Sequence, residues 1–219
     1  MSESEALSPE KRLQVLRGAT TVFARDGYEG ASMSRIAQEA GVSKGTLYNY
    51  FESKADLFAA YVAQQCCERL PLMFGDSLQE DGDPAAALRA IGTRMIALML
   101  SPTGQSIWRV VISEAPKFPE LARSYYDAGP ARAIGRLAGW LEAATRAGRL
   151  AVPEPRLAAE QFFALCQARL ALRRQLHMDI ETPPAEIARI VEAAVAMFLR
   201  AYAPPGRSTA GGAVGGAAR

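Results

Sequence analysis

A short stretch of the sequence, residues 44–50, concentrates side chains that can contact nucleic acid. A lysine can reach a phosphate or a guanine edge, a threonine methyl can touch thymine, and an asparagine can pair with adenine. Tyrosine hydroxyls can donate to phosphates, and a glycine allows close approach of the backbone. The residues that carry this chemistry are Lys44, Gly45, Thr46, Tyr48, Asn49 and Tyr50. Their combination predicts a helix that reads DNA.

The flanking residues predict two short helices joined by a tight turn. Ser32 is a suitable N-cap for the first helix, and Gly41 closes it. Ser43 begins the second helix, in which Leu47 is the inward residue. This arrangement is a helix-turn-helix. Ser32 would offer its hydroxyl and nearby amides to a phosphate, and Lys54, in the first turn of the next helix, is placed to clamp the DNA backbone.

The same residues also have ordinary structural interpretations. Taken singly, Tyr48 and Tyr50 would be core aromatics and Lys44 a solvated charge. Their occurrence together, after a helix and a turn, favours DNA binding. The chain has a net charge of only +2, so the positive potential that attracts DNA must be local.

The rest of the chain predicts helices throughout, because no segment alternates with period two. The first helix follows Ser8-Pro9 and stops at Asp26-Gly27, and the fourth follows Ser53 until Pro71 or Gly75 kinks or ends it. Helices of the body are predicted at 84–100, 102–114, 119–127, 130–146, 155–177 and 184–202. The predicted organisation is a disordered N-terminus (1–8), a helix-turn-helix head (9–53), a helical body (54–203) and a disordered tail (204–219). The fold class is all-α, with a three-helix head on a larger helical body.

Residues 9–66 resemble the DNA-binding domain of the TetR/AcrR family of regulators, whose hallmarks stand here as AxxxFARDGYEGASMSRIAQEAGVSKGTLYNYFESKADLF. The resemblance implies a DNA-binding head, a ligand-binding and dimerisation body over residues 54–203, and homodimerisation through the last two helices. It places the family's DNA contacts at Ser32, Ser34, Lys44, Gly45, Thr46, Tyr48, Asn49, Tyr50 and Lys54. Asn49 and Tyr50 fall where the family varies, so their base preferences do not transfer. The body is similar to the C-terminal domain of the AefR-like branch. The similarity lies in SPTGQSIWRVVISEAPKFPELARSYYDAGP and in the following RLAGWLEAATRAGRL.

Other functional classes find little support. The chain has three cysteines without CxxC spacing and a single histidine, His177, so we expect reduced thiols and neither a metal site nor a cofactor. There is no recognisable catalytic triad and no phosphate-binding glycine loop, so we expect no enzyme. No apolar run is long enough for a membrane span or a signal peptide, which predicts a cytoplasmic protein without a membrane partner.

The body contains aromatic and thioether side chains that could line a pocket for an apolar or amphipathic effector. These are Met95, Met99, Trp108, Phe118, Tyr125, Tyr126, Phe162 and Phe163. Each of them could equally be ordinary core. The prediction that an effector binds to the body therefore depends on the family resemblance.

Two apolar stripes in the last predicted helices are candidates for the dimer interface. The residues chosen are Leu165, Leu172, Ile187, Val191, Val195 and Phe198. One stripe per helix also suffices for packing within its own domain, and only the resemblance favours a second copy. The resulting hypothesis is a repressor that binds a pseudo-palindromic operator in double-stranded DNA as a homodimer and is released by a small effector. The alternatives are an activator, or a protein-interaction module that retains the helix-turn-helix head.

Overall fold

In the computed structural model, the described residues 8–79, 82–176, 178 and 182–204 form helices and turns, and no strand occurs among them. The helices are α1 Pro9–Gly30, α2 Met33–Glu39, α3 Lys44–Tyr50, α4 Lys54–Phe74, α5 Pro84–Leu100, α6 Pro102–Glu114, α7 Pro119–Ala128, α8 Pro130–Arg146, α9 Pro155–Gln167, α10 Ala171–Gln175 and α11 Pro184–Tyr202. The predicted all-helical class is confirmed. The predicted disordered segments lie outside the described residues except for Ser8 and Pro204.

Serine caps and first-turn prolines determine where most of the helices begin. The serines that accept a hydrogen bond from the amide three residues later are Ser8, Ser32, Ser43, Ser53 and Ser101. Each satisfies one of the N–H groups that a helix start leaves without a partner. Proline occupies the first turn of α1, α6, α7, α9 and α11, where its missing N–H costs nothing. The predicted helix starts are therefore confirmed.

A kink interrupts α1 near its end. Gly27 has φ 70° and ψ −179°, so the backbone leaves the helical conformation there before a last turn runs to Gly30. Glycine tolerates this φ, whereas a residue with a Cβ would be strained. The predicted stop at Asp26-Gly27 is thus a kink, and it turns Tyr28 into the core, where the side chain is buried.

The single helix predicted over 155–177 is wrong in its continuity. α9 ends at Gln167 and α10 begins at Ala171, while His177 lies outside the described residues. At the break, the Leu170 amide donates to the Gln167 carbonyl over 2.8 Å, which is a three-residue turn. The Leu170 side chain is buried there, so packing overrides a local sequence that contains neither glycine nor proline.

The described residues pack as two units. The first unit contains residues 8–76 and 93–135, the second contains the described part of 77–92 and 136–204, and α5 and α8 contribute to both. The apolar core of the first unit runs from α1 to α4 and continues into Ile107 and Val111 of α6 and Leu121 of α7. By packing, therefore, the first unit extends past the predicted head boundary at residue 53.

The second unit is built around α9 and α11. The rings of Phe162 and Phe198 meet edge to face, with centroids 5.4 Å apart. Val191 and Cys166 are buried in the same unit, and both lie within van der Waals reach of Gly92. A side chain at Gly92 would have its Cβ 3.2 Å from the Cys166 sulfur, so this position favours glycine.

Within the described ranges, no single helix is long and apolar enough to cross a membrane. α5 and α6 satisfy length and composition criteria only when taken together, and they are bent by 68° at the break between them.

Candidate nucleic-acid interface

The turn between α2 and α3 is built by one glycine and braced from α1. Gly41 has φ 64°, which favours glycine. The amide of Val42 then donates to the Ala37 carbonyl over 3.0 Å, which closes the end of α2. Gln14 of α1 donates its side-chain amide to the Ala40 carbonyl over 2.7 Å. The angle between α2 and α3 is thus set by local geometry and by a contact from α1.

α3 presents a polar outer face opposite a buried residue. Leu47 is fully buried, and residues on the other faces are exposed, as expected from the helical period. The exposed members are Lys44, Gly45, Tyr48 and Asn49. Tyr48 is 43% exposed, so it is not a core aromatic. The Lys44 ammonium lies 5.9 Å from the centre of the Tyr48 ring, at the outer limit of a cation–π contact.

The start of α3 engages the hydroxyl of Thr46. The Ser43 hydroxyl oxygen accepts from the Thr46 amide over 2.9 Å and lies 2.7 Å from the Thr46 hydroxyl oxygen. Because the hydroxyl is held by the cap, the Thr46 methyl is the group better suited to a base contact. At the start of α2, Ser32 caps the Arg35 amide over 3.3 Å, and both Ser32 and Ser34 are exposed.

Tyr50 joins the end of α3 to the beginning of α1. Its phenol oxygen accepts a hydrogen bond from the Ser8 amide over 2.8 Å, and its ring packs partly buried against the core. Arg12 lies above the neighbouring Phe51 ring, 5.0 Å from its centre. Tyr50 is therefore in part a structural residue, as its core interpretation predicts, and its O–H proton stays available to a phosphate.

Lys54 makes contacts that the sequence did not predict. Its ammonium donates to the Tyr28 carbonyl over 2.8 Å and to the Ala31 carbonyl over 3.3 Å. It also lies 4.3 Å from the centre of the Tyr28 ring. A lysine ammonium has three donors, and two of them are directed inside the protein here.

Four charged side chains form an ion-pair cluster on α1 and α2. Asp26 accepts from Arg25 over 2.9 Å and lies 3.4 Å from Arg35, and Arg25 also reaches Glu39 over 3.4 Å. The hydrogen bond from Arg25 lowers the pKa of the Asp26 carboxyl, and the charges of Arg25 and Arg35 add to the effect, while partial burial opposes it. The cluster thereby links the two helices electrostatically.

We expect Asp26→Asn to lower the melting temperature near neutral pH but not in strong acid. The pKa of Asp26 is lower in the folded chain than its ordinary value, so its contribution is present above that ordinary value and is lost as the pH falls through the folded pKa. Thermal unfolding from about pH 2.5 to about pH 7 measures this difference. The exposed Asp127, substituted by asparagine, is the matched control. Equal melting temperatures for wild type and Asp26→Asn near neutral pH would contradict the assignment.

The predicted effector residues divide between the two units. Trp108 and Tyr125 are half-buried in the first unit with ring centres 6.3 Å apart, and Met95 and Met99 are also half-buried there. Phe118 and Tyr126 are the most exposed of the eight residues, at 39% and 48%, and their role in binding an effector stays a prediction. Phe162 and Phe163 are buried in the core of the second unit and lie 5.9 Å apart.

The predicted dimer residues differ in their exposure within the single chain, and their role in an interface stays a prediction. Val191, Val195 and Phe198 are at most 2% exposed, because the stripe they form on α11 packs inside its own unit. Leu165 and Ile187 are half-buried, and Leu172 is exposed. The large apolar side chains that the second unit exposes include Leu157, Leu172, Leu176, Met178 and Met197. Met178 and Met197 are not among the predicted dimer residues, because neither lies on an apolar stripe of the sequence.

Comparison with known families identifies both parts of the chain. Residues 15–61 match the model of bacterial regulatory proteins of the tetR family. Residues 86–204, more than half of the chain, match the C-terminal domain of AefR-like transcriptional repressors. Members of this family and the relatives below are transcriptional regulators rather than enzymes.

Curated relatives match over the N-terminal part. The transcriptional activator FasR of Mycolicibacterium smegmatis is 41% identical over 81 residues, which are 37% of this chain and 36% of FasR. The transcriptional repressor AcnR of Corynebacterium diphtheriae is 31% identical over 70 residues, 32% of this chain and 37% of AcnR. The chain thus matches little more than a third of the length of these relatives.

Solved structures match over nearly the whole chain. A TetR-family transcriptional regulator from Mesorhizobium loti is 27% identical, with a TM-score of 0.81 over 91% of this chain and 100% of that one. The flavonoid-responsive regulator FrrA is 34% identical, with a TM-score of 0.73 over 90% of this chain and 100% of FrrA. The chain therefore belongs to the TetR family of transcriptional regulators, with a C-terminal domain of the AefR-like type.

Proposed function

We propose that this protein is a cytoplasmic, ligand-responsive repressor that binds a pseudo-palindromic operator as a homodimer. The observation that carries the proposal is the outer face of α3, where Lys44, Gly45, Tyr48 and Asn49 are exposed around the buried Leu47. A cation, an amide and a phenol on one short helix suit the donors and acceptors of the major groove.

Contacts to the DNA backbone would come from groups around this face. Ser32 and Ser34 are exposed at the start of α2, and the Tyr50 hydroxyl retains a proton to donate. Such contacts position the helix. Lys44 can reach a phosphate or a guanine edge, Asn49 can select an adenine, and the Thr46 methyl can meet a thymine. Because these contacts use hydroxyl groups, an amide and a few local charges, a chain with a net charge of only +2 could still bind DNA.

The homodimer in this proposal is supported by the small size of α3 and by the exposed apolar side chains of the second unit. One short recognition helix reads few bases, and two of them about one DNA turn apart, roughly 34 Å, read a pseudo-palindrome. Leu172, Leu176 and Met178 are each more than half exposed along and after α10, and Met197 is similarly exposed on α11. Exposed apolar side chains of this size favour association with a second copy.

The proposed effector is a small apolar or amphipathic molecule. FrrA, which is 34% identical over most of its length, is described as flavonoid-responsive. The half-buried pair of Trp108 and Tyr125, with Met95 and Met99 in the same unit, suits an aromatic or aliphatic ligand. An effector that prefers another conformation of the body would displace α4 and alter the spacing of the two heads, which lowers the affinity of the dimer for DNA. The loss of DNA affinity cannot exceed the difference between the effector's affinities for the two conformations of the body.

Repression is favoured over activation by the AefR-like repressor domain over residues 86–204. AcnR is also described as a repressor, while FasR is described as an activator. A reporter gene under the operator distinguishes the two, because deletion of the regulator raises expression in the first case and lowers it in the second.

We expect Lys44→Ala to weaken operator binding roughly ten-fold and to flatten its salt dependence. The variant dimer lacks two lysines, and if each neutralises a phosphate, the slope of log affinity against log salt falls by about 1.8. A mobility shift across a salt series, with DNA from upstream of the protein's own gene, measures both quantities. Lys117→Ala is the matched control, because that side chain is 71% exposed between α6 and α7.

Unchanged affinity and slope in Lys44→Ala would contradict the recognition role of α3. Salt-sensitive binding to DNA should be absent altogether if the head instead binds another protein.

The effector hypothesis is tested by thermal shift against a panel of flavonoids and long-chain fatty acyl compounds. A compound that binds should also weaken the binding of the protein to DNA in the mobility shift.

A further inference from the structure

The Lys54 ammonium connects the first turn of α4 to the segment between α1 and α2. It donates to the carbonyl of Tyr28, just after the kink at Gly27, and to the carbonyl of Ala31, directly before the Ser32 cap. These two carbonyls bracket the chain reversal from α1 into α2. A single charged group therefore holds both ends of that reversal against α4.

The carbonyls are anchored on a rigid support. The Tyr28 ring, buried with 7% of its surface exposed, stacks 6.2 Å from Phe23 and meets Phe58 of α4 at 4.8 Å. The Lys54 ammonium completes this arrangement above the Tyr28 ring, 4.3 Å from its centre. Charge-assisted hydrogen bonds and a cation–π contact converge on one nitrogen, which favours a fixed side chain over a mobile one.

We propose that Lys54 is a positioning residue that couples α4 to the start of α2, rather than a contact to a DNA phosphate. Because the ammonium holds the Ala31 carbonyl, the position of the first turn of α4 determines where Ser32 and Ser34 lie. A displacement of α4 would then shift α2 within the head, in addition to moving the whole head. This inference rests on the proposed DNA-binding function for its consequence, but the coupling itself exists without DNA.

Amide hydrogen exchange on the DNA-free full chain tests the coupling directly. Lys54→Met removes the charge and the donors while keeping most of the length of the unbranched side chain. Lys54→Gln keeps an uncharged donor, and Lys54→Arg keeps the charge and several donors. We expect exchange at residues 31–36 to become about ten-fold faster in Lys54→Met, less so in Lys54→Gln, and to stay near wild type in Lys54→Arg. Exchange in α9 and α11 should be unchanged in all three variants.

DNA binding separates positioning from phosphate contact. We expect Lys54→Met to bind operator DNA roughly three- to thirty-fold more weakly with the wild-type salt slope, and Lys54→Arg to restore the affinity. A slope lowered by about 1.8 in Lys54→Met, which removes the lysine from both subunits of the dimer, would overturn the proposal in favour of a phosphate contact. Unchanged exchange at residues 31–36 would also overturn it. If the wild-type protein binds no DNA, the proposed function fails, and the exchange experiment still decides whether Lys54 positions α2.

Discussion

Gly18→Ala is expected to destabilise the first unit by about 2 kcal/mol or more, although alanine is the better helix former. In a helix interior, alanine is favoured over glycine by roughly 0.8–1.0 kcal/mol. At Gly18, however, a Cβ would lie 2.7 Å from the Cβ and the amide nitrogen of Ala40 and 2.8 Å from its Cα. Two of these atoms belong to the backbone at the end of α2, so no side-chain rotation relieves the overlap. Overpacking therefore outweighs helix propensity.

A matched substitution in α8 isolates the contact from the propensity. A Cβ at Gly135 would have nothing within 4 Å, so Gly135→Ala should stabilise the chain by up to about 1 kcal/mol. Urea unfolding of both variants measures the two changes in free energy. Gly18→Ala should also weaken operator binding, because the backbone at Ala40 leads into the turn before α3. A Gly18→Ala variant at least as stable as wild type would show that α1 and α2 do not approach this closely.

The role of Gly18 was not predicted from the sequence, whereas the turn at Gly41 was. Gly41 follows an apolar-periodic helix and precedes a serine cap, so its neighbours identify the turn. Gly18 stands in the middle of a helix, where its neighbours indicate only a loss of helix propensity. Its contact with Ala40 joins residues far apart in the chain. Local patterns carry no information about which distant backbone approaches a given position.

The same limit applies to the functional face. The inward position of Leu47 follows from the helical period, and the structure confirms it. The hydrogen bond from Ser8 to Tyr50 and those from Lys54 to Tyr28 and Ala31 depend on how α1, α3 and α4 pack together. For these side chains the sequence predicted a chemical capability, and the fold determines how much of it is already used inside the protein.

The apolar stripe on α11 shows a different limit. Its period predicts a buried face, and Val191, Val195 and Phe198 are indeed buried. The pattern cannot distinguish burial against α9 of the same chain from burial against a second copy, because both remove the same apolar surface from water. In the folded chain Val191, Val195 and Phe198 are covered by their own unit, whereas Leu172, Met178 and Met197 are exposed and would be available to the proposed second copy.

Phe58→Ala is expected to destabilise the first unit by about 3–5 kcal/mol, a larger loss than the one expected for Gly18→Ala. Phe58 is 2% exposed on α4, and its ring lies 5.0 Å from Phe23, 4.8 Å from Tyr28 and 5.6 Å from Tyr61. Removing it leaves a cavity at the point where α1 and α4 meet. The loss includes both the transfer free energy of the ring and the cost of that cavity.

The two tryptophans allow this loss to be assigned to one unit. Trp108 lies in the first unit and Trp140 in the second, so Trp140→Phe and Trp108→Phe backgrounds each report a single unit by fluorescence. In the Trp140→Phe background, Phe58→Ala should lower the denaturant midpoint seen by Trp108. Phe118→Ala, at a side chain that is 39% exposed, should change the stability of that unit by less than about 1 kcal/mol. An unaltered Trp108 transition in Phe58→Ala would mean that the aromatic cluster does not hold α1 to α4. An equal shift of the Trp140 transition in the Trp108→Phe background would show that the two units unfold together. In that case a loss of stability in the first unit lowers the stability of the second unit by the same amount.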